Sequence, residues 1–208
     1  MITKEELDRA FDARFPVWMK EKLNAAHVAV AGLGGLGSNI AVMLARSGVG
    51  HLFLVDFDVV DVTNLNRQMY RTKDIGRPQP EALVDMLGEI TPYLDIKTRQ
   101  IKVSPDNVKE LFDGYPIVCD AFDKPDMKSM LVSELLRVTK AVVVSGNGMA
   151  GFGDANDITT EKKLSRLYVC GDKKTDVGGG TGLMAPRVAV CAGHQANQVI
   201  RLILGEDK

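Results

Sequence analysis

The sequence has neither an excess of one charge nor a long hydrophobic run. Its 26 Lys and Arg nearly cancel its 27 Asp and Glu, leaving a formal charge of −1. A general polyanion binder carries a basic surplus, so nucleic acid is not an expected partner. No apolar stretch reaches the ~18 residues that span a bilayer, so no membrane partner is expected either. Cysteine is scarce: Cys119, Cys170 and Cys191 form an odd, widely spaced set. Such a set suits reduced thiols in a reducing compartment, and without a CxxC pair no four-cysteine zinc site can be built. The opening Met-Ile-Thr-Lys-Glu-Glu-Leu is charged and amphipathic, unlike a signal peptide, and a cytoplasmic location is the expectation. With 45% hydrophobic and 25% charged residues, the composition is that of an ordinary globular domain.

What is present is an alternation of helical and strand patterns. Residues 3–23 space Leu7, Phe11, Phe15, Trp18, Met19 and Leu23 at helical intervals, with Pro16 dividing the stretch in two. His27–Ala31 and His51–Asp56 read as buried parallel strands around a helix over 38–47. Helix, strand, helix and strand follow at 80–91, 95–102, 105–112 and 115–121. A helix near 125–139 leads into an apolar strand at 141–145, and a last helix opens at Pro186 and closes before Gly205. This order predicts an α/β fold: a doubly wound, mostly parallel sheet with a Rossmann-like nucleotide-binding unit. We expect an N-terminal helical segment over 1–24 and one domain over 25–208. The glycine run 178–182 reads as a mobile surface loop, because no strand-turn-helix context surrounds it.

Gly32-Leu33-Gly34-Gly35-Leu36-Gly37 satisfies GxGxxG between a strand and a helix. Small residues there allow a sharp turn and a close approach to phosphates, whose charge a helix N-terminus stabilises. Asp56, ending the next strand, is placed to accept hydrogen bonds from ribose hydroxyls. The segment after Asp56 narrows the choice of nucleotide. A dehydrogenase would enter another helix, whereas this chain runs through Asp58 to Asn64-Leu65-Asn66-Arg67-Gln68. Arg67 can make bidentate contacts with phosphate oxygens and Asn64 can donate another hydrogen bond. Alone, the segment reads equally well as a solvated polar loop.

Taken together, Gly-x-Gly-Gly-x-Gly, Asp56-Phe57-Asp58-Val59-Val60, Asn64–Gln68, Gly76-Arg77-Pro78 and Asp120-Ala121-Phe122-Asp123 resemble the ThiF/MoeB/HesA superfamily of ubiquitin-activating-like adenylyltransferases. The tail Leu183-Met184-Ala185-Pro186-Arg187 is similar to its compact, zinc-free ThiF branch. The resemblance covers roughly residues 25–205 and implies ATP and Mg2+ as cofactors and no structural zinc. It further implies a homodimer acting on the C-terminal glycine of a ThiS-like ubiquitin-fold sulfur carrier, in thiamine biosynthesis. The candidate nucleotide-binding positions are Gly32, Gly34, Gly35, Gly37, Asp56, Asp58, Gln68 and Gln79. Asn64, Arg67 and Asp123 are the candidate catalytic residues, with Asp123 positioning Mg2+. An acid ending a strand can also simply cap the next helix.

The chain departs from the family in three respects. Relatives place a Lys directly after Gly-x-Pro, where this sequence has Gln79. Either Arg77, Arg71 or Lys73 supplies that charge instead, or the enzyme is weakened to a nucleotide-binding partner of a carrier. The zinc-binding cysteine pairs are missing, so the last helix must be held by its own apolar face, including Val188, Val190, Val199 and Leu202. The 172–185 loop has no cysteine to form a thioester, and the three thiols read as small core residues. His27, His51 and His194 share no metal-ligand spacing. Arg14 is the candidate for the N-terminal arginine with which relatives reach the partner's ATP site.

Overall fold

The computed structural model describes residues 2–176, 178 and 180–206. The elements run α1 (Lys4–Asp12), α2 (Val17–Asn24), β1 (His27–Ala31), α3 (Gly35–Arg46), β2 (His51–Asp56), α4 (Gln79–Ile90), β3 (Asp95–Gln100), α5 (Val108–Phe112), β4 (Ile117–Asp120), α6 (Pro125–Val138), β5 (Val142–Gly146), β6 (Thr159–Leu164), β7 (Leu167–Gly171) and α7 (Ala185–Leu204). They form a seven-stranded sheet in the order β3-β2-β1-β4-β5-β7-β6. Every neighbouring pair is parallel except β6 with β7. The expected doubly wound α/β architecture is therefore present.

Alternation along the strands explains why both faces are covered. Val28 and Val30 of β1, Leu52 and Leu54 of β2 and Cys119 of β4 join the core under α3, α4 and α7. Ala29, Ala31, Phe53, Val55, Val118 and Val143 face the opposite core, closed by α5 and α6. A parallel strand buried on both faces must be apolar at every position, which is why these strands lack the usual polar alternation. Val188 and Val199 are buried on α7, with Val190 and Leu202 packed at the margin. That helix ends as the sequence indicates, with Gly205 left-handed at φ 82°.

The β6–β7 hairpin is the element that the sequence pattern does not reveal. Its outer strand, Thr-Thr-Glu-Lys-Lys-Leu, is polar on an exposed sheet edge, where lysines discourage edge-to-edge pairing. Glu161 is clamped there by Lys163 and Lys173, which hold its carboxyl down at about 2. No described helix is long and apolar enough to cross a membrane.

Candidate nucleotide-binding site

Parallel β1, β2 and β4 end side by side, and their carboxyl ends bring the glycine loop, Asp56 and the 120–124 turn together. Gly32 has φ +87°, and a Cβ there would stand 2.9 Å from the Ala121 carbonyl oxygen. At Gly37 a Cβ would lie 1.8 Å from the Gly32 carbonyl oxygen. These two glycines close the loop onto the sheet. Gly34 is the N-cap of α3 and supplies no side-chain cap, so the N–H groups of the helix's first turn lack an acceptor from that residue. Around Gly34 a Cβ would meet only Gln68 Nε2, at 3.5 Å, and Gly35 lies under the stem of Arg67. Bare first-turn N–H groups behind an unobstructed backbone form a cradle that fits a phosphate chain.

Asp56 has work to do before any ligand arrives. One carboxylate oxygen accepts from Leu33 N at 2.6 Å, and the other from Phe57 N at 2.6 Å and Asp58 N at 3.0 Å. The Tyr70 hydroxyl donates to the Leu33 carbonyl at 2.9 Å. Burial, with Asp56 and Asp74 nearby, pushes that phenol far above its ordinary pKa, so it remains a donor. Neither tie is visible in the motif itself.

The Asn64–Gln68 segment is not a solvated loop. Ser38 Oγ accepts from Met69 N at 3.2 Å, and Asn39 Nδ2 donates to the carbonyls of Gly35 (2.7 Å) and Arg67 (3.2 Å). These two α3 residues stitch the segment to the helix N-terminus. Two polar residues directly after GxGxxG, opening an otherwise apolar helix, were the available signal. Asn64 Oδ1 accepts from Asp61 N at 2.9 Å and caps its own turn. Arg67 Nη1 donates to Thr63 O (3.1 Å) and Asn66 Oδ1 (2.8 Å), holding the guanidinium beside Gly35. Asn66 Nδ2 in turn donates to Leu183 O at 3.0 Å, joining the segment to the chain that enters α7.

Gln79 and Gln68 are buried. Gln79 Nε2 lies 3.4 Å from Gln68 Oε1, and exchanging its amide oxygen and nitrogen lets Gln79 donate instead to Asp56 Oδ2 and Leu33 O, both at 3.3 Å. Position 79 thus braces the glycine loop from beneath. The three basic residues named as substitutes for a Lys there are each ion-paired in this structure. Arg71 pairs with Asp74 and Glu89, Lys73 with Glu89, and Arg77 with Asp85 and Asp74. This network ties the turn before α4 to that helix.

Asp123 is exposed and does not cap α6, whose N-cap Lys124 likewise makes no side-chain cap bond. The helix-cap alternative is therefore excluded. Asp120 is the structural acid of this turn: it is fully buried, 2.9 Å from Lys128 Nζ and 2.5 Å from Ser145 Oγ. Asp58 lies across from Asp123. Burial, then the carboxylates of Asp56 and Asp123, push the Asp58 carboxyl above its ordinary range. Two carboxylates beside a phosphate cradle are a donor set that fits a hard divalent cation shared with phosphate oxygens. Among the described residues, no three His, Cys, Asp or Glu side chains form a metal cluster on their own.

The segment entering α7 is pinned by a buried ion pair, Arg187 Nη2 to Asp172 Oδ2 at 2.6 Å. Arg187 Nη1 also donates to Gly153 O at 2.6 Å. Gly179, within the glycine run 178–182, lies outside the described residues. All three cysteines are buried, and burial pushes Cys170 up to about 11 and Cys191 up to about 12. Thiols so raised are not nucleophiles near neutral pH, in keeping with their reading as core residues. His27 and His51 stack at 4.0 Å at the opposite end of the sheet, with His51 bonded to Asp95.

Fold and site together define a Rossmann-like α/β domain with an anion cradle at its carboxyl edge. Residues 7–208 match the ThiF family, and the chain belongs to that family. It is 31% identical over 189 residues to the molybdopterin-synthase adenylyltransferase of Salmonella typhimurium, covering 88% of this chain and 75% of that one. It is 36% identical over 135 residues to the tRNA threonylcarbamoyladenosine dehydratase of Escherichia coli, covering 64% and 50%. To the adenylyltransferase and sulfurtransferase UBA4 of Eremothecium gossypii it is 35% identical over 143 residues. That match spans 68% of this chain but only 32% of the relative. The chain spans less than half the length of several curated relatives that it matches, 32%, 47% and 43% in three of them. Among solved structures, the E. coli dehydratase TcdA in complex with AMP superposes with a TM-score of 0.87 at 24% identity, over 99% of this chain and 98% of that one. At that identity the likeness speaks for the fold. The same protein has also been solved in complex with ATP.

Proposed function

We propose that this chain adenylylates the C-terminal glycine of a small ubiquitin-fold sulfur carrier, consuming ATP and releasing pyrophosphate. The observation that carries the reading is the uncapped first turn of α3 with Arg67 held across it by Asn39. The carrier's terminal carboxylate attacks the α-phosphorus of ATP. A new acyl–phosphate bond forms, and the bond to the bridging oxygen of pyrophosphate breaks. The nucleophile is already ionised at neutral pH, so no general base is needed. Two anions must meet, so the site's task is charge neutralisation and alignment. Gly34 and Gly35 offer N–H groups to the phosphates, Arg67 and Asn64 donate to them, and Asp56 orients the ribose. Asp58 and Asp123 would hold Mg2+, which when bound supplies positive charge to the departing pyrophosphate. Gly32, Gly37, Gln68 and Gln79 shape the cradle.

The finer reading, a ThiS-like carrier in thiamine biosynthesis, rests on the similarity of the 183–187 tail to the compact ThiF branch. A cytoplasmic homodimer with Arg14 reaching the partner's site belongs to the same reading. The near-neutral charge of the chain favours a protein carrier over an RNA substrate. Carrier-dependent exchange of labelled pyrophosphate into ATP tests the reaction, with ThiS-like and molybdopterin-type carriers and tRNA offered in parallel. Exchange with a ubiquitin-fold carrier supports the reading. Exchange with none of them, alongside tight NAD binding, would overturn it. Sedimentation of the purified chain decides between monomer and dimer.

A further inference from the structure

The site has fewer free cations than its chemistry requires. An ATP carries about four negative charges to a glycine loop already bordered by Asp56, Asp58 and Asp123. Position 79 is a neutral, buried amide, and Arg71, Lys73 and Arg77 are committed to Asp74, Asp85 and Glu89. Lys128, the next lysine along α6, is spent on buried Asp120 and on the Phe122 carbonyl. Lys124, beside Asp123, has no such partner among the described residues.

Lys124 follows Asp123 at the N-cap of α6, on the turn leaving β4. That turn packs directly against the glycine loop: the Phe122 ring and the Ala121 carbonyl both crowd Gly32. Its side chain is exposed, and among the described residues no ion pair or hydrogen bond engages it. A flexible four-carbon stem with an unpaired ammonium is suited to a point contact with phosphate.

We infer that Lys124 is a phosphate-contacting residue of this site, supplying from the β4–α6 turn the positive charge that Gln79 does not provide. The inference rests on the adenylylation reading, and specifically on ATP being the ligand. It assigns Lys124 to the β- and γ-phosphates, since Arg67 and the α3 N-terminus already face the glycine loop. An exposed lysine on a turn is cheap to replace, so the variants should fold.

The test is calorimetric titration of the full chain with ATP and with AMP in the presence of Mg2+. The proteins compared are wild type, Lys124→Ala, Lys124→Arg and, as a surface control, Lys140→Ala. A charge-assisted phosphate contact predicts that Lys124→Ala weakens ATP binding about tenfold or more. AMP binding, lacking the outer phosphates, should change by less than about threefold, Lys124→Arg should retain most ATP affinity, and Lys140→Ala should match wild type. Unchanged ATP binding in Lys124→Ala overturns the inference. So does an equal loss for ATP and AMP, which would mark a disturbed cradle and no outer-phosphate contact. A wild type that binds no ATP at all overturns the nucleotide reading itself, and that outcome is distinct from a silent Lys124→Ala in a protein that binds ATP.

Discussion

The carboxylate of Asp56 accepts a 2.6 Å hydrogen bond from the backbone N–H of Leu33, tying the end of β2 to the middle of the glycine loop. The acid proposed to orient the ribose is therefore also the brace of the glycine loop, and the two roles can be separated. In Asp56→Asn one side-chain oxygen becomes an NH2 group facing a backbone N–H. An unsatisfied buried donor costs about 1–3 kcal/mol. We expect a lower melting temperature without any ligand, measurable by calorimetry. A variant as stable as wild type would limit Asp56 to ligand contact.

Arg67 makes its visible contacts to Thr63 and Asn66, within its own segment. Removing it should leave stability nearly unchanged and strike the reaction. Arg67→Ala is expected to reduce pyrophosphate exchange by at least ~100-fold, as for loss of a donor aimed at developing charge. Exchange near the wild-type rate would make Arg67 a surface residue.

Among the described residues Asp123 has no hydrogen-bond or ion-pair partner, so Asp123→Asn should melt like wild type. An amide keeps the shape without the charge. If Asp123 holds the metal that follows charge onto pyrophosphate, turnover falls more than ATP affinity does. Equal losses in both would indicate a role in ground-state binding alone.

Asp172 provides a pH test remote from the phosphates. Burial opposes its charge, but N–H donation from Thr175 and Lys174 and the Arg187 pair outweigh it and depress the folded pKa. A depressed pKa adds stability that is fully present above the unfolded value of about 3.9 and is lost as pH falls through the folded value. Asp172→Asn should therefore be less stable than wild type at pH 7 by roughly 3 kcal/mol, because it strands a buried arginine. The gap should narrow steadily below about pH 4 in urea melts. A gap independent of pH would mean that packing, and not charge, is what the substitution removes.

The readable part of this chain is where the physics is local. Strand β1, the glycine loop, α3 and Asp56 follow one another in sequence, and each constrains the next. The Pro186 start and Gly205 stop of α7 are legible for the same reason. The β6–β7 hairpin is not, because its edge strand must stay polar and so carries no apolar signature. The Arg187–Asp172 pair and the stitching of Arg67 by Asn39 join residues far apart in sequence, and only the fold shows which polar groups meet. The engagement of Arg71, Lys73 and Arg77 with α4 and the preceding turn is of that kind too. Composition announces three candidate cations, and only the fold shows that each is paired with an acid.

Gln79 is where sequence and site pull hardest against each other. Its amide sits against Asp56 Oδ2 and the Leu33 carbonyl, beneath the loop that would carry the phosphates. A lysine at this position would be buried beside Asp56, whose carboxylate can balance its charge, so Gln79→Lys should fold. The longer side chain would extend past the amide's position toward the cradle. In an otherwise wild-type chain we expect Gln79→Lys to tighten ATP binding only modestly, within about threefold, because Lys124 already supplies charge to the outer phosphates. In a Lys124→Ala background the same substitution should recover about tenfold in ATP affinity, the worth of one charge-assisted contact. Such non-additivity is what two groups serving one ligand charge produce, and a double-mutant cycle on ATP affinity measures it directly. If the two substitutions add independently, positions 79 and 124 serve different parts of the nucleotide. If Gln79→Lys instead weakens binding in both backgrounds, its ammonium has captured Asp56 from the Leu33 N–H, and the neutral amide at position 79 is required by the loop itself.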